Sequence, residues 1–145
     1  DNVMEPDGRG GLALRLGLRQ IKGMAEDEAQ WIVGARGNGY TAVEDVWRRA
    51  GVSALTLARL AEADCFAALG LSRRDALWAA KAMGESKPLP LFAGDMDGEG
   101  IVEPAVVFRE MTTGEQVVED YVSMRLTLRA HPLALLRPWL TPEAA

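Results

Sequence analysis

The residue types that most often carry out chemistry in enzymes are sparse in this chain of 145 residues. A single cysteine, Cys65, excludes a disulfide framework and a multi-cysteine zinc site, and a single histidine, His131, leaves no catalytic triad. The acids Asp95, Asp97 and Glu99 lie in a glycine-rich stretch, where a solvated loop is the simpler interpretation, and their spacing does not fit an EF-hand loop. The sequence therefore predicts no catalytic residue, no metal site and no cofactor in this chain.

The backbone offers a different chemistry, the binding of anions, at residues 18–36. Gly23, Met24 and Ala25, which we call the first hairpin, form a glycine–apolar–small turn directly before a segment with helical periodicity. The first N–H groups of a helix lack intrahelical partners and lie at the positive end of its dipole. Such a turn can bind a DNA phosphate without reading a base, and Arg19 and Lys22 add cationic contacts.

The glycine–apolar–small pattern recurs at Gly51, Val52 and Ser53, which we call the second hairpin. A pair of such turns can hold both strands of a duplex, with Arg48 as a further cation. Ala25 and Ser53 stand where a second glycine is expected. If that position requires a positive φ, a residue with a Cβ costs roughly 1 kcal/mol there. The alternative interpretation is that both turns are ordinary helix ends in a small helical bundle.

Short helices position these turns. Capping signals and periodicity predict helices over residues 26–36, 42–49, 54–62 and 73–83. The predicted caps are a capping box of Thr41 with Glu44, a serine cap at Ser53, and Ser72 with Asp75.

The flanking segments differ from this helical part. Residues 1–11 are a turn-rich lead-in, and alternating leucines predict a short strand or extended arm over residues 12–19. Prolines and glycines over residues 85–114 predict a strap or linker. A final helix is predicted over residues 115–125, followed by a helical turn at 133–136 that Pro138 and Pro142 end.

The composition, with 48% hydrophobic and 26% charged residues, allows a core and excludes a chain that is disordered throughout. With no long apolar run and no leader-like start, we expect a soluble, cytoplasmic protein without a membrane partner. The net charge of −5 argues against nucleic acid, but all of it lies in residues 85–145, and residues 9–24 contain four cations and no acid. A local basic patch matters more, because the Debye length is about 8 Å at physiological salt.

Four blocks follow one another in order: LRLGLRQIKG at residues 14–23, VEDVWRRAGV at 43–52 after Tyr40, LAEAD at 60–64 and LGLSRRDALW at 69–78. They resemble the C-terminal helix-hairpin-helix region of bacterial error-prone DNA polymerases, relatives of the polymerase III alpha subunit in the C family. VVEDY at 117–121 and LTLRAHPL at 126–133 resemble the segment that leads toward an oligonucleotide-binding barrel. Arg125 departs from the family, since a glycine or small residue is expected before LTL.

The resemblance implies a mainly α fold. Residues 1–84 form a tandem helix-hairpin-helix domain, residues 85–114 a strap, and residues 115–145 a C-terminal helix with a connector toward a missing oligonucleotide-binding domain. It also implies a fragment of a DNA-directed DNA polymerase, a nucleotidyltransferase of translesion synthesis in DNA repair and replication. The catalytic carboxylates and magnesium ions of that polymerase lie outside this chain.

Duplex DNA is the implied partner, bound without sequence specificity. The residues expected to contact it are Arg19, Lys22, Gly23, Met24, Ala25, Arg48, Gly51, Val52 and Ser53.

A protein-interaction module is the main alternative. Leu89, Leu91 and Phe92 resemble the apolar core of peptides that bind the bacterial sliding clamp, and a flexible strap could present them to an apolar groove. Accessory translesion polymerase proteins are further possible partners. The simpler interpretation is that Leu91 and Phe92 pack the strap onto the helices. A base-excision glycosylase is a third class, but Lys22 precedes the hairpin and no flanking helical domain is evident.

Several other side chains have a structural interpretation. We expect Cys65 to be a buried small hydrophobe and Trp31, Trp47 and Trp78 to pack in the core. The pairs Arg48–Arg49 and Arg73–Arg74 are expected to be either solvated helix faces or phosphate contacts.

Overall fold

A computed structural model describes residues 1–85 and 107–140, and these residues are mainly helical, as predicted. Two short strands come first, β1 (Val3–Pro6) and β2 (Leu12–Arg15). The helices that follow are α1 (Glu26–Gly34), α2 (Val43–Ala50), α3 (Ala54–Glu62), α4 (Arg73–Glu85), α5 (Thr113–Met124) and α6 (Pro132–Leu140).

The strands form one antiparallel pair in which Val3 lies opposite Arg15 and Pro6 opposite Leu12. β2 confirms part of the predicted extended arm. Its partner β1 lies in the stretch interpreted as a turn-rich lead-in, which is a correction. A tight connection joins the strands, and Gly8 and Gly10 adopt positive φ values there, a backbone region that glycine enters without strain.

The core lies among α1 to α4. Val43, Val46 and Ala50 are buried at helical spacing on α2, and Leu57 and Ala61 are fully buried on α3. α3 packs most extensively along α4 because Ala76 and Ala80 present a smooth, buried surface on α4. This packing fixes the ends of the helices, and therefore the turns between them.

The caps agree with the sequence in two of three places. The Ser53 Oγ accepts the Thr56 N–H at 3.2 Å, and the Ser72 Oγ accepts the Asp75 N–H at 3.1 Å, as predicted. The capping box at Thr41 is wrong. α2 begins one residue later, at Val43, and the Asp45 carboxylate accepts the Thr41 N–H at 3.0 Å.

α5 begins with a capping box of Thr112 and Glu115, and it packs against α3. Its Val117 and Ser123 are buried. α6 is longer than the predicted helical turn, and Pro138 lies inside it rather than ending it. Residues of α5 and α6 together line an open apolar groove of about 580 Å³. Within residues 1–85 and 107–140, no helix has both the length and the apolar character required to cross a bilayer.

Three expectations about single side chains are wrong. Cys65 is exposed, and Trp31 and Trp78 are about half exposed rather than core residues. Trp78 instead contacts Phe108 edge-on, with the ring centroids 5.7 Å apart. Helical periodicity places an aromatic residue on a face, but which face is covered depends on elements that are distant in sequence.

Candidate nucleic-acid interface

The first and second hairpins have the same backbone geometry. Gly23 and Gly51 have φ values of +76° and +68°, the left-handed region that glycine enters without a Cβ penalty. Ala25 and Ser53 follow as N-caps in extended conformation, with φ values of −75° and −70°. A second glycine is therefore not needed, and neither residue is strained.

The apolar residue in the middle of each turn points inward. Val52 is only 2% exposed, and the partly buried Met24 packs against the core. Because this anchor is held by packing, the backbone of the turn keeps a fixed orientation toward the surface.

A third turn of the same kind, which was not predicted, lies at residues 70–72. Gly70 has a φ of +77°, the partly buried Leu71 packs against the core, and Ser72 caps α4; we call these residues the third hairpin. The glycine–apolar–small pattern of this turn was present in the sequence as Gly70, Leu71 and Ser72. The first and third hairpins both carry an alanine four residues after the small residue, Ala29 and Ala76, whereas the second has Leu57.

Cationic groups surround the first hairpin. Lys22 is exposed, and its backbone N–H donates to the Ser123 carbonyl oxygen at 2.8 Å, which ties the turn to the end of α5. The Arg59 guanidinium donates to the Gly23 carbonyl oxygen and lies close enough that a Cβ on Gly23 would be 3.0 Å from its Cζ. Arg19 is exposed and pairs with Asp1 at 3.0 Å.

Acidic groups also lie at this turn. The first turn of α1 consists of Glu26, Asp27 and Glu28, which favours the positive end of the helix dipole. The Asp27 carboxylate accepts the Glu28 N–H at 2.9 Å, so it stays close to its own helix. Glu28 turns away from the first hairpin and contacts the second.

Glu28 occupies donors at the start of α3. Its Oε1 accepts the Ser53 N–H at 2.9 Å, and its Oε2 accepts the Thr56 hydroxyl. These hydrogen bonds, from Thr56 first and then from Ser53, hold the pKa of the Glu28 carboxyl below its ordinary value. A carboxylate of this chain therefore already fills part of the second hairpin.

The four arginines expected to be solvated or to contact phosphates have different roles. Arg48 is exposed on α2, whereas the adjacent Arg49 donates to the carbonyl oxygens of Ala35, Arg36 and Gly39 and so completes the end of α1. Arg73 is buried in an ion pair with Asp120, so neither interpretation holds for it. Arg74 is 35% exposed and lies 3.8 Å from Glu115.

A family model described as a helix-hairpin-helix motif matches residues 2–76, more than half of the chain. This chain belongs to the helix-hairpin-helix family. The first, second and third hairpins all lie within residues 2–76.

The relatives are DNA polymerases. The chain is 60% identical, over 99% of its length, to an error-prone DNA polymerase of Ruegeria pomeroyi. It is 50% identical over 94% of its length to error-prone DNA polymerase 2 of Rhizobium meliloti, and 49% identical over 86% to error-prone DNA polymerase 3 of Agrobacterium fabrum. The predicted resemblance is confirmed. The chain spans only 12–13% of these three relatives. No solved structure matches it.

Two sets of predicted residues lie outside the described ranges. They are the clamp-like residues Leu89, Leu91 and Phe92 and the acids Asp95, Asp97 and Glu99. The sliding-clamp interaction stays a prediction. Among residues 1–85 and 107–140, no three histidine, cysteine or acidic side chains come together in a way that could hold a metal ion.

Proposed function

We propose that this chain is the helix-hairpin-helix part of an error-prone DNA polymerase and that it holds duplex DNA by its phosphates without reading the base sequence. In the parent enzyme, a cytoplasmic DNA-directed polymerase of translesion synthesis and DNA repair, it positions the template and primer for a catalytic domain elsewhere. Magnesium belongs to that catalytic domain.

The cations around the exposed first hairpin carry this proposal. Lys22 directly precedes the turn, and the Arg59 guanidinium lies against Gly23. Arg19 is close to Lys22 in the sequence and is 67% exposed. Backbone N–H groups at the start of α1 add donors that have no carbonyl partner within the helix, although the Glu28 N–H is taken by the Asp27 carboxylate. A phosphate can accept from both kinds of donor, and contacts to phosphate carry no information about the base sequence.

The acids of α1 weaken this attraction less than their number suggests. Glu28 is engaged by Ser53 and Thr56, so its charge is turned toward α3. Glu26 and Asp27 remain near the first hairpin, against the cations of Lys22, Arg59 and Arg19. We therefore expect weak binding, with a dissociation constant on the order of micromolar or higher at physiological salt, as is usual for non-specific contacts.

The third hairpin supplies a second contact in this proposal. Gly70 and Ser72 are exposed, and the partly exposed Arg74 follows directly in the first turn of α4. Asp75 is the acid of that turn, and it is occupied in capping with Ser72. Two phosphate contacts on separate turns hold a duplex more firmly than one, because the second binds at a high effective concentration.

Fluorescence anisotropy of the chain on short duplexes tests the proposal. Affinity should fall steeply as salt rises from about 50 to about 300 mM and should be similar for unrelated sequences, because released counterions drive the binding. Equal affinity across this range, or a strong preference for one sequence, would contradict phosphate-led binding.

A pair of lysine variants provides the matched control. Lys22→Ala removes a cation at the first hairpin, whereas Lys81→Ala removes an exposed lysine from the side of α4. Lys22→Ala should weaken binding to all sequences and reduce the magnitude of the salt slope by about 0.9, and Lys81→Ala should change neither. Equal effects of the two variants would mean that only net charge matters.

A further inference from the structure

The start of α3 already holds an anion that belongs to the chain itself. Glu28, on α1, lies 25 residues before Ser53, and its carboxylate accepts the Ser53 N–H at 2.9 Å. The second carboxylate oxygen accepts the hydroxyl of Thr56, whose side chain is fully buried. The Thr56 N–H is also bonded, at 3.2 Å to the Ser53 Oγ.

The Ser53 N–H is one of the donors that a phosphate would use at the second hairpin, and it is already occupied. A carboxylate and a phosphate both present charged oxygen acceptors, so one takes the place of the other. Glu28 is attached to the same chain and therefore competes at a high effective concentration, while DNA must come from solution. Its negative charge also repels any phosphate that approaches the remaining donors of this turn.

The other two hairpins are bonded differently. At the first hairpin the Lys22 N–H donates to a neutral acceptor, the Ser123 carbonyl oxygen. At the third hairpin the cap comes from Ser72 with Asp75 of the same turn. Among the described residues of the three hairpins, only the second has a backbone N–H that donates to a carboxylate from a different helix.

We propose that Glu28 is an internal substitute for phosphate that closes the second hairpin to DNA. The second hairpin then joins α1 to α3, and phosphate binding is left to the first and third hairpins. The meaning of this inference for DNA rests on the proposed function, but the closure itself is a property of the chain and can be measured without DNA.

The direct test follows the backbone amides of the full chain by NMR while inorganic phosphate is added. In the wild type, the Ser53 amide should not respond. In Glu28→Ala the freed Ser53 N–H should shift with phosphate, while Glu26→Ala, which removes the same charge from the same turn, should behave as the wild type does. A folded Glu28→Ala variant whose Ser53 amide ignores phosphate would overturn the proposal, and so would an equal response in Glu26→Ala.

Glu28→Gln covers the case in which Glu28→Ala does not fold. Glutamine keeps the size of the side chain and an oxygen that can accept from Ser53, but it loses the charge that makes Glu28 a strong competitor. The Ser53 amide of this variant should respond to phosphate more weakly than in an open turn but clearly more than in the wild type. No response in folded Glu28→Gln, when Glu28→Ala is unfolded, counts against the closure.

Binding to duplex DNA separates this inference from the proposed function. Glu28→Ala should bind about threefold more tightly at low salt, and its salt slope should steepen by about 0.9, as expected for one added phosphate contact. If the wild type does not bind DNA at all, the proposed function fails and the phosphate titration still tests the closure. If the wild type binds and Glu28→Ala gains no more than Glu26→Ala, the closure fails and the proposed function stands.

Discussion

The Arg73 guanidinium donates a 2.5 Å hydrogen bond to the Asp120 carboxylate, and both side chains are almost completely buried. This contact joins the start of α4 to the middle of α5 across 47 residues of sequence. Asp120 also accepts from Thr127 at 2.7 Å and from Arg129, which in turn pairs with Asp64. The network holds α5 on the helical core, and α5 in turn supplies the carbonyl oxygen that accepts the Lys22 N–H.

Asp120→Asn should lower the free energy of unfolding by about 3 kcal/mol, because a buried guanidinium loses its counter-charge. Urea denaturation followed by circular dichroism measures this change. Glu119→Gln, the same charge change on the next, partly exposed residue, is the control and should alter stability by less than about 0.5 kcal/mol. Similar losses in the two variants would show that the network contributes little beyond charge.

Asp120 also makes stability depend on acid pH. Burial alone would raise its pKa, but the hydrogen bonds from Arg73, Thr127 and Arg129 outweigh it, and the pKa is lowered from the ordinary 3.8. A lowered pKa in the folded state gives stability that is complete above the unfolded-state value and is lost as the pH falls through the folded-state value. Unfolding by urea at about pH 6 and about pH 3 should show this loss, and Asp120→Asn should lose less. An unchanged pH dependence in the variant would contradict this role.

Arg49→Lys should destabilise the chain by about 1–2 kcal/mol. Arg49 donates to three carbonyl oxygens after α1, at 2.7 to 2.9 Å, and the single ammonium of lysine cannot reproduce this planar fork. Thermal unfolding followed by circular dichroism is a suitable measurement. Arg48→Lys, on the adjacent and exposed position, should leave the melting temperature unchanged; a matching decrease would show that the carbonyl contacts of Arg49 are not the source of the loss.

Arg125→Gly should stabilise the chain by about 0.5–1 kcal/mol. Arg125 ends α5 with a φ of +62°, and glycine adopts this left-handed conformation without the steric cost of a Cβ. Arg125→Ala removes the same charge but keeps the Cβ, so it should bring no gain in denaturant midpoint. Equal gains in both variants would point to the charge rather than to the backbone. The glycine expected here from the family resemblance has this physical basis.

The features that the sequence predicted correctly are local. Ser53 and Ser72 cap the helices that directly follow them, and the acids Glu26 to Glu28 mark the start of α1. Each of these signals depends on groups within about one helical turn, so no distant element can remove it. The glycines of the first and second hairpins were recognised for the same reason.

The features that the sequence missed depend on residues that are distant in the chain. β1 required Val3 to meet Arg15, and the burial of Arg73 required Asp120. The exposure of Trp31 and Trp78 follows from where other helices leave space. Two misses are local exceptions. The Gly70-Leu71-Ser72 pattern of the third hairpin was visible in the sequence, and the N–H of Thr41, which the predicted capping box assigned to Glu44, donates to Asp45 instead.

Short helices, the glycine turns that join them and the motifs that identify the family could all be predicted from neighbouring residues, because turn geometry, caps and ordered motifs are local. The occupation of the Ser53 N–H depended on a tertiary contact. Ser53 has the same local geometry as Ala25, but the carboxylate of Glu28 reaches its N–H from another helix. Whether a backbone donor is open or occupied depends on what folds against it, and no local pattern records that contact.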